Sequence, residues 1–219
     1  MSKSIIFNNE NICIFPNIVI PLQYQENQEV MTTSIYKTSD YLTTDEIHRL
    51  IRYFKKLGNL RMCLLIEFGV KTLLRYSDLK RIQWLDIVGK DTLVLNEKKT
   101  NKRREITIGK SLRESIETIY NELKQPNKEE LVFQYTLQHT NLLLKEGGRD
   151  VKIRNKNIST HALRKSGSRF IWDSNGCSDE YLIKLSSILN HSSSSITRKY
   201  LGISREEIKD IYKSFDDLM

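Results

Sequence analysis

Met62, Leu64, Leu65, Ile66, Phe68 and Val70 fall on several faces of one helical run over residues 60–74, which is therefore apolar nearly all the way round. Such a helix is stable only when other elements cover most of its faces. The rest of the chain must build a shell around it, and Arg75, directly after it, emerges at the edge of that core.

The shell reads as helical. Thr43-Thr44-Asp45-Glu46 is a capping box, and Ile47, Leu50, Ile51 and Phe54 follow at helical spacing before Gly58 closes the turn. Ser77 and Asp78 can cap a short helix carrying Leu79 and Ile82, and Trp84, like Met62, reads as core. Residues 92–95 and 105–108 are β-branched runs joined by a polar stretch, which predicts a hairpin with a strongly basic tip. Ser111-x-x-Glu114 is a second capping box, opening a helix with Ile116, Ile119, Tyr120 and Leu123 on one face, and Pro126 forbids its continuation.

A further short helix is expected to end at Gly147-Gly148. Ser159 caps the next, with Leu163, Gly167, Phe170 and Ile171 as its inward stripe and Gly176 at its end. Asp179 caps another, with Leu182, Ile183, Leu185, Ile188 and Leu189 inward, and residues 192–195 open a short helix. Ser204-x-x-Glu207 starts a last one with Ile208, Ile211, Tyr212 and Phe215. The expectation is a mainly α fold with a small antiparallel β-sheet (α+β), formed by residues 41–219. Residues 1–40 form an extension with Pro16 and Pro21, two short strands and a polar tether through Gln23 to Asp40.

The 35 Lys plus Arg against 27 Asp plus Glu give a net charge of +8, which favours a polyanionic partner, nucleic acid or an anionic membrane. Asn8, Asn9, Glu10 and Asn11 interrupt the apolar patches of residues 5–22, so neither a spanning helix nor a signal core is read there, and a cytoplasmic protein is expected. Cys13, Cys63 and Cys177 are odd in number and in no metal-ligand spacing, and read as reduced and structural.

Several residues suit phosphodiester chemistry. Arginine donates parallel hydrogen bonds to phosphate and stays charged, which fits Arg75 and Arg164. His161 and Arg164 stand three apart and project from the same side of one helix. Histidine or lysine can move the protons: Lys99 to the leaving 5′-oxygen, His161 from the nucleophile, with His191 donating to a non-bridging oxygen. Tyr200, nine residues after His191, is the candidate nucleophile. A phosphotyrosine link conserves the bond energy, so the scheme needs neither ATP nor a metal.

These residues resemble the motifs of the tyrosine recombinases, the phage-integrase and Xer-type enzymes that share a catalytic fold with type IB topoisomerases. The first box, roughly Thr-Gly-x-Arg-x-Ser-Glu-Leu, resembles residues 72–79, with Leu73 in place of glycine and Asp78 in place of glutamate. The lysine box resembles residues 99–104, the His-x-x-Arg box is His161-Ala162-Leu163-Arg164, and the Leu-Gly-His box is similar to Leu189-Asn190-His191. The resemblance covers residues 41–212. It implies a catalytic set of Arg75, Lys99, His161, Arg164, His191 and Tyr200, a 3′-phosphotyrosyl intermediate on double-stranded DNA, no cofactor and no membrane partner. It also implies a tetramer on two sites, the segment after Tyr200 docking on a neighbouring subunit. Larger relatives carry a helical DNA-grasping domain before the catalytic one; with about forty residues there, this chain resembles the fimbrial-type DNA invertases.

Lys98 and Lys99 are expected on opposite faces of a strand, with the family's register favouring Lys99. Lys98, Lys102, Arg103 and Lys156 are candidate DNA contacts, and Arg104, Lys152 and Arg154 are either backbone clamps or solvated charges. A non-catalytic DNA-binding accessory and a type IB topoisomerase-like relaxing enzyme are the competing readings.

Overall fold

The computed structural model describes residues 12–15, 18–21 and 38–218. Contacts divide the chain into two units, Met1–Lys37 and Thr38–Met219. In the first, β1 (Ile12–Phe15) pairs antiparallel with β2 (Ile18–Pro21) in the register Ile12 to Pro21 and Phe15 to Ile18. Residues 23–37 of the expected tether and the Cys13 side chain lie outside the described residues.

In the second unit α2 (Leu60–Thr72) is the buried axis the sequence requires: Met62, Leu64, Ile66 and Phe68 are fully buried. Around it pack α1 (Thr44–Lys56), α5 (Lys110–Glu122) and α7 (Thr160–Ser174), with α6 (Leu137–Asp150) against α1 and α7. The Thr43/Glu46 capping box forms as expected, and Ser159 caps α7 by accepting from His161 N. β3 (Thr92–Asn96) and β4 (Arg103–Thr107) make the expected hairpin, with Asn96 opposite Arg103. Trp84 begins the short helix α4 (Trp84–Ile87) and is fully buried.

A second, smaller core joins Leu73 to Leu182, Leu185 and Leu189 of α8 (Asp179–Leu189), Leu201 of α9 (Ser194–Leu201) and Ile203, the first residue of α10 (Ile203–Ser214). Tyr200 packs on this cluster. Among the described residues no helix is long and apolar enough to cross a membrane.

Several local expectations are corrected. Arg75, not Ser77 or Asp78, stands at the N-cap of α3 (Tyr76–Leu79), and Asp78 Oδ1 instead accepts from Lys98 N at 2.7 Å. Ser111 caps nothing: α5 starts after Gly109, and Ser111 Oγ accepts from Lys71 Nζ at 3.0 Å. α6 runs through Gly147-Gly148, where the glycines mark close packing against Phe54 and Ile158 and not termination. Ser178, not Asp179, caps α8, and α10 begins after Gly202 without a side-chain cap. Phe170, Ile183 and Ile188 face outward, not into the core. Cys63 is buried and free, whereas Cys177 is exposed.

Candidate active site

The two arginines converge on a helix end. α8 stops at Leu189 because Asn190 takes the left-handed conformation, φ 53°, a conformation a short polar side chain tolerates. The carbonyl of its last residue, Leu189, is left without a partner inside the helix and lies at the negative end of the helix dipole. Leu189 O accepts from Arg164 Nη2 at 2.8 Å and from Arg75 Nη2 at 3.2 Å. One backbone oxygen thus holds two like charges contributed by α7 and by the N-cap of α3.

Glu97, at the end of β3 and 1% exposed, supplies the full counter-charge. Its carboxylate accepts from Arg75 Nη1 at 2.9 Å, Arg104 Nη1 at 3.1 Å, Thr100 Oγ1 at 2.9 Å and Asn190 Nδ2 at 2.8 Å. Burial alone would raise this carboxyl. The hydrogen bonds from Thr100 and Asn190 and the charges of Arg75 and Arg104 outweigh burial and hold it below the ordinary carboxylate range. Arg104 also donates to Thr72 O at 2.9 Å, at the last residue of α2. Of the two residues standing where the family has glycine, Asn190 is tied to Glu97, while Leu73 adopts φ 55° and buries its side chain in the second core.

Tyr200 sits on α9 with its hydroxyl buried and, like Arg164 Nη1, without an aligned hydrogen bond among the described residues. Burial pushes the phenol up to about 12, against the opposing charges of Arg164 and Arg75. Arg164, 3% exposed, is itself pushed down to about 10 by burial, with Tyr200 opposing, and stays charged at neutral pH. The His191 ring meets Tyr200 edge-on, centroids 5.2 Å apart, and its Nδ1 lies 2.8 Å from Thr197 Oγ1.

His161 projects from the first turn of α7. Its side chain reaches solvent, yet loss of surrounding water and then the charges of Arg164, Arg75 and Lys99 hold its ring below the usual imidazole value. The same causes in the same order act on His191. Both rings are therefore neutral at pH 7, and the field of Lys99 reaches both.

The structure corrects the setting of that lysine. Lys98 and Lys99 lie in the turn between β3 and β4, not on opposite faces of a strand, and the Lys98 backbone is tied to Asp78. Lys102, Arg103 and Arg104 line one side of a cleft of about 480 Å³ with Lys71 and Asn190. Lys156 stands apart: its ammonium is paired with Glu46 and lies 5.4 Å from the Tyr41 ring centroid. Sequence reasoning missed Glu97, the Leu189 carbonyl and Thr197. The available signal for Glu97 was its place as the one acid immediately ahead of the basic stretch 98–104; the other two depend on the turn at Asn190 and the packing of α9.

The profile of the phage integrase family matches residues 40–207. A probable integrase/recombinase of Bacillus subtilis (strain 168), YoeC, is 32% identical over 167 residues, covering 73% of this chain and 87% of that protein. Among solved structures, XerH recombinase in a post-cleavage complex with a palindromic substrate superimposes with a TM-score of 0.61 at 19% identity, over 83% of this chain. XerA recombinase does so with a TM-score of 0.61 at 18% identity, over 82%. The chain spans only 54% and 66% of those two recombinases. A family profile that covers most of the chain and a relative 32% identical over 73% of it show that this chain belongs to the phage integrase family of tyrosine recombinases.

Proposed function

We propose that the chain is a site-specific DNA recombinase that cleaves and rejoins strands through a 3′-phosphotyrosyl link on Tyr200. The observation that carries this reading is the Tyr200 hydroxyl buried beside the Arg164 guanidinium, whose charge and hydrogen bond favour the phenolate, while neither that hydroxyl nor Arg164 Nη1 has a well-aligned partner among the described residues. A phosphodiester bound there gives Arg164 Nη1 a non-bridging oxygen to donate to and presents its phosphorus to the phenol oxygen as an electrophile. Membership of a family whose relatives include a recombinase described with a cleaved substrate supports the same assignment.

In this scheme Arg75 and Arg164 bind the non-bridging oxygens and stabilise the charge that grows on them. The phenol, held near 12 by burial, ionises only when a base and the phosphate-bound arginines share its proton and charge. Neutral His161 accepts that proton, Lys99 on the hairpin turn protonates the departing 5′-oxygen, and His191 hydrogen-bonds a non-bridging oxygen. The link conserves the phosphodiester's energy, so rejoining is the reverse step. The net charge of +8 and the basic lining of the hairpin cleft suit a DNA backbone. Residues 41–219 are the catalytic domain, residues 1–40 an extension, and the working unit is a tetramer across two sites.

The test is a duplex nicked beside the scissile phosphate, drawn from the DNA flanking the encoding gene. Wild type is expected to be captured covalently at one sequence, while Tyr200→Phe binds equally and forms no adduct. Capture at every sequence would identify a relaxing enzyme, and binding without capture by wild type would leave a non-catalytic DNA-binding protein.

A further inference from the structure

Behind His191 lies a line of hydrogen bonds in which every proton is accounted for. Ser186 Oγ is 2.9 Å from Leu182 O, which can only accept, so the serine proton goes there. Ser186 Oγ is also 2.7 Å from Thr197 Oγ1. Having spent its proton, the serine accepts, and the threonine donates. Thr197 Oγ1 therefore has only lone pairs left for His191 Nδ1, 2.8 Å away, and that nitrogen must carry the hydrogen. The reverse direction would set Ser186 Oγ and Leu182 O against each other as two acceptors. The line is shielded from solvent, since Thr197 is fully buried and Ser186 nearly so, and it is anchored at its near end by His191 N donating to Ser186 O at 2.9 Å.

We propose that Thr197, backed by Ser186, is a positioning residue that holds His191 as the Nδ1–H tautomer, so that Nε2 carries no proton in the neutral ring. This deepens the recombinase reading and rests on it for its consequence: His191 donates to a phosphate oxygen only after Nε2 has taken up a proton from solvent, which leaves an imidazolium beside the phosphate. The groups that face the ring are Tyr200 from α9, Arg164 from α7, Arg75 ahead of α3 and Lys99 from the hairpin turn. Burial and then the three cations keep that proton away in the free protein, and the charge of an arriving phosphate admits it.

The tautomer is read by long-range proton–nitrogen correlation NMR on the full chain without DNA, above the imidazole titration range. Substitution of His191 by Gln assigns its signals among the four histidines. Wild type and Thr197→Ser are expected to show protonated Nδ1 and bare Nε2. Ser186→Ala, which frees the threonine proton to turn toward Nδ1, is expected to move the hydrogen to Nε2. A proton on Nε2 in wild type, or an unchanged tautomer in Ser186→Ala, overturns the proposal. On nicked DNA, Thr197→Val is expected to slow covalent capture about 10- to 100-fold, the loss seen when the hydrogen-bond partner that orients a metal-ligating histidine is removed, and Thr197→Ser to restore it. Capture by Thr197→Val at the wild-type rate also overturns it. If wild type shows the expected tautomer but captures no DNA, the recombinase reading fails and the hydroxyl line stands.

Discussion

At the scale of residues, one buried acid organises the basic site. Glu97 gathers two guanidiniums, a hydroxyl and an amide, so its removal leaves Arg75 and Arg104 facing each other without their anion. Breaking a buried pair by deleting one partner costs about 3–5 kcal/mol, and Glu97→Gln should lose stability on that order at neutral pH. The carboxyl's folded pKa lies below its ordinary value of 4.5, so the unfolded chain binds the proton first as pH falls. The advantage of wild type over Glu97→Gln is therefore complete above the ordinary value and disappears as pH drops through the depressed one. Urea unfolding of both proteins across that range checks this; a gap that stays constant into acid would show that the charge is not what stabilises.

At the scale of elements, α2 and α7 touch so closely that a hydrogen atom is all the space allows. A Cβ on Gly167 would stand 2.0 Å from Val70 O and 2.6 Å from Leu73 Cδ2, whereas one on Gly148 would meet only Ile158 Cδ1 at 2.3 Å, the far end of a side chain that can rotate away. Gly167→Ala should cost about 3 kcal/mol or more, because backbone must move. In Gly148→Ala, a helix gain of up to about 1 kcal/mol offsets much of the repacking. Denaturant midpoints of the two variants decide; equal losses would mean the helices are not in contact where described. The same contrast separates what the sequence made legible from what it hid. Thr43 and Ser159 were readable as caps because a cap depends on three or four consecutive residues. Gly147-Gly148 resembled a stop because nothing local says that Phe54 and Ile158 fill the space beside them. Helical spacing put Phe170, Ile183 and Ile188 inside because periodicity marks an apolar face without saying whether this chain covers it. In the site, Arg75, His161, Arg164, His191 and Tyr200 stood in recognisable spacings, while Glu97, Leu189 O and Thr197 act through contacts that exist only after the chain turns at Asn190.

At the scale of the whole molecule, the last helix carries an apolar face that the described residues of its own unit leave open. Ile208, Ile211, Tyr212 and Phe215 are each more than half exposed, and Tyr212 and Phe215 meet only edge-on, centroids 6.3 Å apart. Contiguous exposed apolar side chains of this size mark a contact face. Under the recombinase reading the partner is another copy, because exchange between two sites needs subunits that recognise each other while each holds its own tyrosine. Ile211→Asp combined with Phe215→Asp should then leave the unfolding midpoint within about 0.5 kcal/mol of wild type, as exposed substitutions do. Covalent capture on a single nicked half-site should persist, since Tyr200 is anchored by the second core through Leu201 and Ile203 and not by this face. Joining of two duplexes, followed by native mass spectrometry of the protein–DNA assembly, should be lost. A double variant that unfolds would show that α10 belongs to its own domain's core, and one that still joins two duplexes would move the assembly surface elsewhere.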